Sequence, residues 1–254
     1  MKAHYLRNRG YSNKKTCVLL LVKYPEEGNV KSRLAKHICE KIVVEIYRNF
    51  VLDILSMLNK SNIPFTVLFH PINALKKFEV WLGTKYEYVP QIGQNLGERI
   101  KNGFLNVFTK DFSNAIVLAS DIPNLTENIL LESYVAFDNS DAVIGPSPDG
   151  GYYLIGFKRD SFFPEIFEKM VWSRNTVFNE TIERLKKAKC KVHILPLLPD
   201  IDTLEDLKVF VKKRNTATYD SSKTMKYLPQ HKEILNERGH SSGISNCLTN
   251  KKYR

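Results

Sequence analysis

Between about Cys17 and Phe210, short apolar runs alternate regularly with longer amphipathic stretches. CVLLLV (17–22), PFTVLFH (64–70), AIVLAS (115–120), DAVIGP (141–146), YYLIGF (152–157) and KVHILP (191–196) have the length and the Val/Ile/Leu content of strands buried on both faces. Between them, Ser32–Leu58, Ala74–Leu82, Leu96–Phe108, Glu127–Phe137, Asn175–Ala188 and Leu204–Lys213 read as helices. Buried strands separated by helices predict an α/β fold, a three-layer sandwich with helices on both faces of a mostly parallel sheet. Ligands of such sheets bind beyond the carboxyl ends of the strands, so the loops that follow strands are where chemistry is expected. Beyond Arg214 the apolar period stops. Three regions are therefore expected: a basic N-terminal extension (1–15), one domain (16–213), and a basic, weakly ordered tail (214–254) with a short helix near Lys232–Asn236.

Charge changes this picture less than its total suggests. The net charge of +11 divides into +5 over residues 1–15 and +7 over residues 211–254. The stretch 16–210 carries twenty-three basic and twenty-four acidic residues, so the domain is near neutrality and gives no electrostatic case for specific nucleic-acid binding. No stretch approaches the roughly 20 apolar residues of a membrane span, and the first residues lack the apolar segment of a secretory signal. A cytoplasmic protein is expected. The four cysteines (Cys17, Cys39, Cys190, Cys247) form no CxxC pair and read as inert thiols. The six histidines form no HxxxH or HExxH pattern.

Four loops carry candidate chemistry. After the first strand, Lys23, Lys31 and Arg33 surround Pro25 and Gly28 at a helix start, an arrangement suited to phosphate oxygens, although a solvated basic turn fits equally. The spacing is neither a Walker A loop nor GxGxxG. Asp121 ends the strand AIVLAS. Because Thr126 already serves as the cap of the following helix, Asp121 is left for a hard cation such as Mg²⁺ or Mn²⁺, with a plain turn aspartate as the alternative. In PSPDGGYY, Gly150 and Gly151 either make a hairpin or leave room for a ligand beside Asp149, Tyr152 and Tyr153. In DIDTLEDL, Thr203 and Asp206 have capping-box form, and Asp200 and Asp202 precede the cap. The acidic loops around Asp121 and Asp202 can share one cation if the fold brings them together. Trp172 with Ser173 and Arg174 can line a pocket, and Arg99 in QIGQNLGERI can reach a phosphate or pair with a nearby acid.

Taken in order, KYPEEGNVKSRL, QIGQNLGER, ASDIP, GPSPDGGYYLIGF, WSRNTVF and DIDTLEDL resemble a family of small bacterial transferases. That family has the nucleotide-diphospho-sugar transferase (glycosyltransferase-A) fold and includes glycosyltransferases of the arsenosugar-biosynthesis type and radical-SAM/selenodomain-associated transferases. A more distant resemblance is to the molybdenum-cofactor and phospholactate guanylyltransferases. The likeness spans about residues 17–212, and GPxxDGGYYLIGF is its most specific piece. It implies that Lys23, Gly28, Lys31, Arg33 and Arg99 hold nucleotide phosphates and that Asp121 is the main metal ligand. Asp202 is implied as second ligand with Asp200 as its substitute. Asp149 would act as base, with Gly150, Gly151, Tyr152, Tyr153 and Trp172 facing the acceptor or sugar. Ala119 stands where the family has glycine, Asn95 where it has an acid, and Leu204 where proline is common. The expected activity is Mg²⁺- or Mn²⁺-dependent transfer of a sugar from a nucleoside-diphosphate sugar to a small acceptor. Nucleotidyl transfer to a phosphorylated small molecule is the alternative, and an inactive nucleotide-binding partner protein is the reading from another class.

Overall fold

The computed structural model describes residues 15–172, 174–212 and 222–230. Seven strands form one sheet in the order β3-β2-β1-β4-β6-β5-β7. They are β1 (Thr16–Lys23), β2 (Phe65–His70), β3 (Tyr88–Pro90), β4 (Asn114–Ala119), β5 (Ala142–Pro146), β6 (Tyr152–Lys158) and β7 (Val192–Ile194). Only β6 opposes its neighbours; β1 pairs in parallel with β2 and β4, β2 with β3, and β5 with β7. The expected α/β sandwich is thus observed. The helices are α1 (Glu40–Ser61), α2 (Leu75–Leu82), α3 (Leu96–Phe108), α4 (Glu127–Ala136), α5 (Val177–Lys187), α6 (Leu204–Lys212) and α7 (Lys223–Tyr227).

Period-2 alternation divides β1 between two cores. Val18, Leu20 and Val22 pack on one face with Ile46, Phe50 and Ile54 of α1, Leu130 of α4 and Phe210 of α6. Cys17 and Leu19 pack on the other with Ile100 and Phe104 of α3 and Leu185 of α5. Among the described residues, no helix is long and apolar enough to cross a membrane.

Three departures from the sequence reading have physical causes. The helix expected over Ser32–Leu58 is split into a 3₁₀ turn at Leu34–Lys36 and α1, because Cys39 is extended (φ −52°, ψ 130°) where the helix begins. Strand β3 escapes the pattern because it has three residues, none fully buried. Part of the tail is built in: α7 sinks Met225 and Leu228, three positions apart, into the core beside α1. Two apolar positions are too few to register as a period. The expected helix at Lys232–Asn236 lies outside the described residues. Cys17 and Cys190 are free, whereas Cys39 is disulfide-bonded, against the reading of four inert thiols.

Asp53 of α1 anchors α7 by accepting from Ser222 Oγ and Lys223 N, both at 2.6 Å, and from Thr224 N at 3.1 Å. A carboxylate that satisfies free N–H groups at a helix start acts as its cap. Asp53→Ala should therefore cost about 1–2 kcal/mol in denaturant unfolding and speed amide exchange over residues 223–227. Unchanged exchange there would show that α7 docks without this cap.

Candidate active site

The carboxyl end of β1 runs into a turn in which Gly28 (φ +75°) reverses the chain and Lys31 itself takes a left-handed conformation (φ +48°). Val30 and Leu34 are buried on either side, which fixes the segment and turns Lys31 inward. Its ammonium donates to Asp121 Oδ2 at 2.8 Å and to Asp202 Oδ1 at 2.5 Å, with the side chain only 5% exposed. Burial alone would lower the pKa of this amine, but the two carboxylates overcome it and raise the value. Arg33 Nη1 stands 3.7 Å from Asp202 Oδ2, and its side chain is largely exposed.

Asp121 lies just beyond β4, and its carbonyl accepts from Ile201 N at 3.3 Å, a backbone tie between the two acidic loops. Thr126 caps α4, accepting from Ile129 N, so Asp121 is free of that task. Likewise Thr203 and Asp206 form the reciprocal box: Thr203 N donates to Asp206 Oδ2 at 2.8 Å and Asp206 N to Thr203 Oγ1 at 3.2 Å. That box holds the start of α6, and Asp200 and Asp202 project from the segment before it. One carboxylate oxygen from each of Asp121, Asp200 and Asp202 lies within 4.8 Å of the others. Burial, followed by the charges of Asp121, Asp202 and Asp149, pushes the Asp200 carboxyl from its ordinary 3.8 up to about 6, against the opposing pull of Lys31. A carboxyl that binds its proton more tightly folded than unfolded contributes less stability as pH rises from about 4 to about 6.

Asp149 folds back on its own loop. Its Oδ1 accepts from Ser147 Oγ at 2.5 Å and from Gly151 N at 2.9 Å, and its charge reaches Asp200. Gly150 (φ +86°) presses against the backbone of Asn175: a Cβ here would stand 1.9 Å from the Asn175 carbonyl oxygen. The two tyrosines do not form a shared ligand face. Adjacent strand residues point to opposite faces, so Tyr152 packs with one core and Tyr153 with the other, while the β-bulge between Gly145 and Pro146 leaves Tyr153 and Leu154 in the same core. Tyr153 is buried, covers Gly145 and donates to the Pro196 carbonyl at 3.0 Å; burial raises its pKa.

Trp172 stacks on Phe167, meets Tyr152 edge-on and borders a 290 Å³ pocket with Asn95, Gly97, Lys101 and Lys169. Ser173 lies outside the described residues, and Arg174 is exposed. Arg99 stands apart from the acidic cluster: its Nε donates to the Gly93 carbonyl at 3.1 Å. Burial, then the charges of Arg99 and Lys23, lower the pKa of His70, which sits opposite Lys23 in the β1–β2 register. The structure therefore gathers Lys31, Arg33, Asp121, Asp149, Asp200 and Asp202 in one place. Lys23 and Arg99 form a second cationic group by His70 at the ends of β1 and β2.

A family described as an uncharacterized protein conserved in bacteria (DUF2064) matches residues 53–174. A crystal structure of a candidate nucleotide-diphospho-sugar transferase from Desulfovibrio desulfuricans G20 superposes with a TM-score of 0.84 at 32% identity, covering 87% of this chain and 97% of that one. The chain belongs to this transferase family. A 2-phospho-L-lactate guanylyltransferase from Methanocaldococcus infernus is 25% identical over 193 residues, 70% of this chain and 87% of the relative. A cytidylyltransferase from Leptospira borgpetersenii shares the fold alone, with a TM-score of 0.51, 14% identity, and 89% of this chain and 98% of that one covered. The transferase is accordingly an enzyme of the nucleotidyl- or glycosyltransferase class.

Two parts of the transferase's site were not visible in its sequence. Tyr47 of α1 places its hydroxyl 3.1 Å from Lys23 N, which donates to it, and 2.9 Å from Ser120 Oγ. It thereby bolts together the ends of β1 and β4, directly before Lys23 and Asp121. In the sequence Tyr47 is one more residue on an apolar helix face, and only its phenol distinguishes it. The second is the direct pairing of Lys31 with both aspartates, which depends on the left-handed turn.

Proposed function

We propose that this transferase moves a sugar from a nucleoside-diphosphate sugar to a small acceptor, with a divalent cation held by Asp121, Asp202 and Asp200. The observation that carries the reading is the convergence of those three carboxylates with Lys31 and Arg33 beyond the ends of β1 and β4. Three carboxylates from two loops are a hard oxygen donor set that fits Mg²⁺ or Mn²⁺. Such a cation supplies charge stabilisation for a diphosphate leaving group. The chain's own residues do the rest. Lys31 and Arg33 neutralise phosphate oxygens, and Lys23 and Arg99 supply further positive charge near His70. Asp149, with one carboxylate oxygen fixed by Ser147 and Gly151, has the other available to take a proton from an acceptor hydroxyl. The pocket beside Trp172, bordered also by Asn95, Gly97 and Lys101, is the volume we assign to the acceptor. Asn95 has a structural task of its own, capping α3 by accepting from Glu98 N.

Nucleotidyl transfer is a second reading, favoured by the similarity to a phospholactate guanylyltransferase. The same cations would then stabilise attack at an α-phosphate with loss of pyrophosphate. Purified protein incubated with Mg²⁺ or Mn²⁺, a mixture of small acceptors, and NTPs or nucleotide sugars in parallel separates the two by ³¹P NMR. Sugar transfer should release nucleoside diphosphate. Acceptor-dependent pyrophosphate from an NTP, with nucleotide sugars left intact, would establish the second reading and overturn the first.

A further inference from the structure

We infer that the Lys31 ammonium and the divalent cation compete for the same carboxylates, so that Lys31 leaves Asp121 and Asp202 when the metal loads and passes to the phosphates of the incoming nucleotide. This rests on the metal reading above and adds a coupling mechanism to it. Lys31 Nζ already lies 2.8 Å from Asp121 Oδ2 and 2.5 Å from Asp202 Oδ1, two of the three groups that converge within 4.8 Å. A cation bonded to those oxygens and an ammonium hydrogen-bonded to the same oxygens would be two positive centres a few ångströms apart in a half-buried site. Their repulsion opposes simultaneous occupancy. Lys31 is also placed to move. Val30 and Leu34 hold its backbone, but its charge is carried on a flexible four-carbon stem, so the ammonium can swing while the turn stays in place. Arg33, two residues on, is 69% exposed and stands 3.7 Å from Asp202 Oδ2, so a second cation beside the site already faces solvent.

Two consequences follow from thermodynamic reciprocity. Metal alone binds weakly, because it must displace an ion pair. Phosphate strengthens metal binding in two ways, by direct contact and by taking up the displaced ammonium. The metal therefore loads together with the nucleotide rather than ahead of it.

Mn²⁺ binding, followed by electron paramagnetic resonance in wild type and Lys31→Met, tests this with Mn²⁺ alone and with Mn²⁺ plus inorganic pyrophosphate. Methionine keeps an unbranched four-atom apolar stem while removing the ammonium. Mn²⁺ alone should bind the variant about 10-fold more tightly than wild type. Pyrophosphate should tighten Mn²⁺ about 100-fold in wild type and only about 10-fold in the variant. If wild type binds Mn²⁺ but the variant binds it no better in the absence of pyrophosphate, the exchange is overturned and the metal reading stands. If wild type binds no Mn²⁺ under either condition, both are overturned. Circular dichroism melting confirms that the variant is folded, and Lys31→Gln serves as the substitute if it is not.

Discussion

Asp121→Asn is expected to reduce turnover about 10³-fold while leaving the protein folded. Asparagine has the shape of aspartate, and the backbone carbonyl of residue 121 still accepts from Ile201 N, so the two acidic loops stay joined. What disappears is one negative charge from a donor set of three, together with half of the charge that holds Lys31. Stability should fall by no more than about 2 kcal/mol, because Lys31 keeps Asp202 and gains a neutral acceptor in place of a charged one. Donor consumption measured at saturating Mg²⁺, beside a urea unfolding curve, separates the two effects. Activity within tenfold of wild type in a folded variant would remove Asp121 from the centre of the mechanism.

The largest stability effect is expected at Gly150. An alanine there would set its Cβ 1.9 Å from the oxygen and 2.4 Å from the carbon of the Asn175 carbonyl, both backbone atoms, at a φ of +86°. Relief requires the 147–151 loop or the entry to α5 to move, and the bond from Phe178 N to the Gly150 carbonyl (2.8 Å) couples the two. Gly150→Ala should cost about 3 kcal/mol or more, read as a shift in the urea midpoint at constant slope. Gly28→Ala is the internal comparison: it has a similar φ of +75° and nothing within 4 Å, so only the backbone penalty of about 1 kcal/mol applies. Equal midpoints for the two variants would show that the Asn175 contact relaxes at no cost.

Much of this molecule is readable in its residues, and the unread parts share a cause. The strand at 17–22 and the helix from Leu96 were legible because their periods are long and uninterrupted. The caps at Thr126 and Thr203 were legible because side-chain-to-backbone bonds are local. So was the grouping of Asp121 with Asp202, through the resemblance of a series of loops. Strand β3 and helix α7 were not legible, since each is only three to five residues long and is held in place by partners distant in sequence. The facing of Tyr152 and Tyr153 was also hidden. Alternation puts the two on opposite faces, but which of them meets which core depends on the register with β5, which a bulge beside Gly145 shifts, and nothing in GPSPDGGYY reports where the extra residue goes. Tyr47 belongs to the same class, a single hydroxyl on an otherwise apolar face.

Lys31 and Asp121 are 90 positions apart, and Lys31 and Asp202 are 171 apart. Closing such distances needs β1 and β4 paired and the last βα loop in place, so the site is among the latest features to form. A chain still being synthesised has no complete pocket until Asp202 has emerged, however much of the sheet has already assembled. Nucleotide could then assist only the final step of folding, as a ligand of the finished protein rather than a template for it.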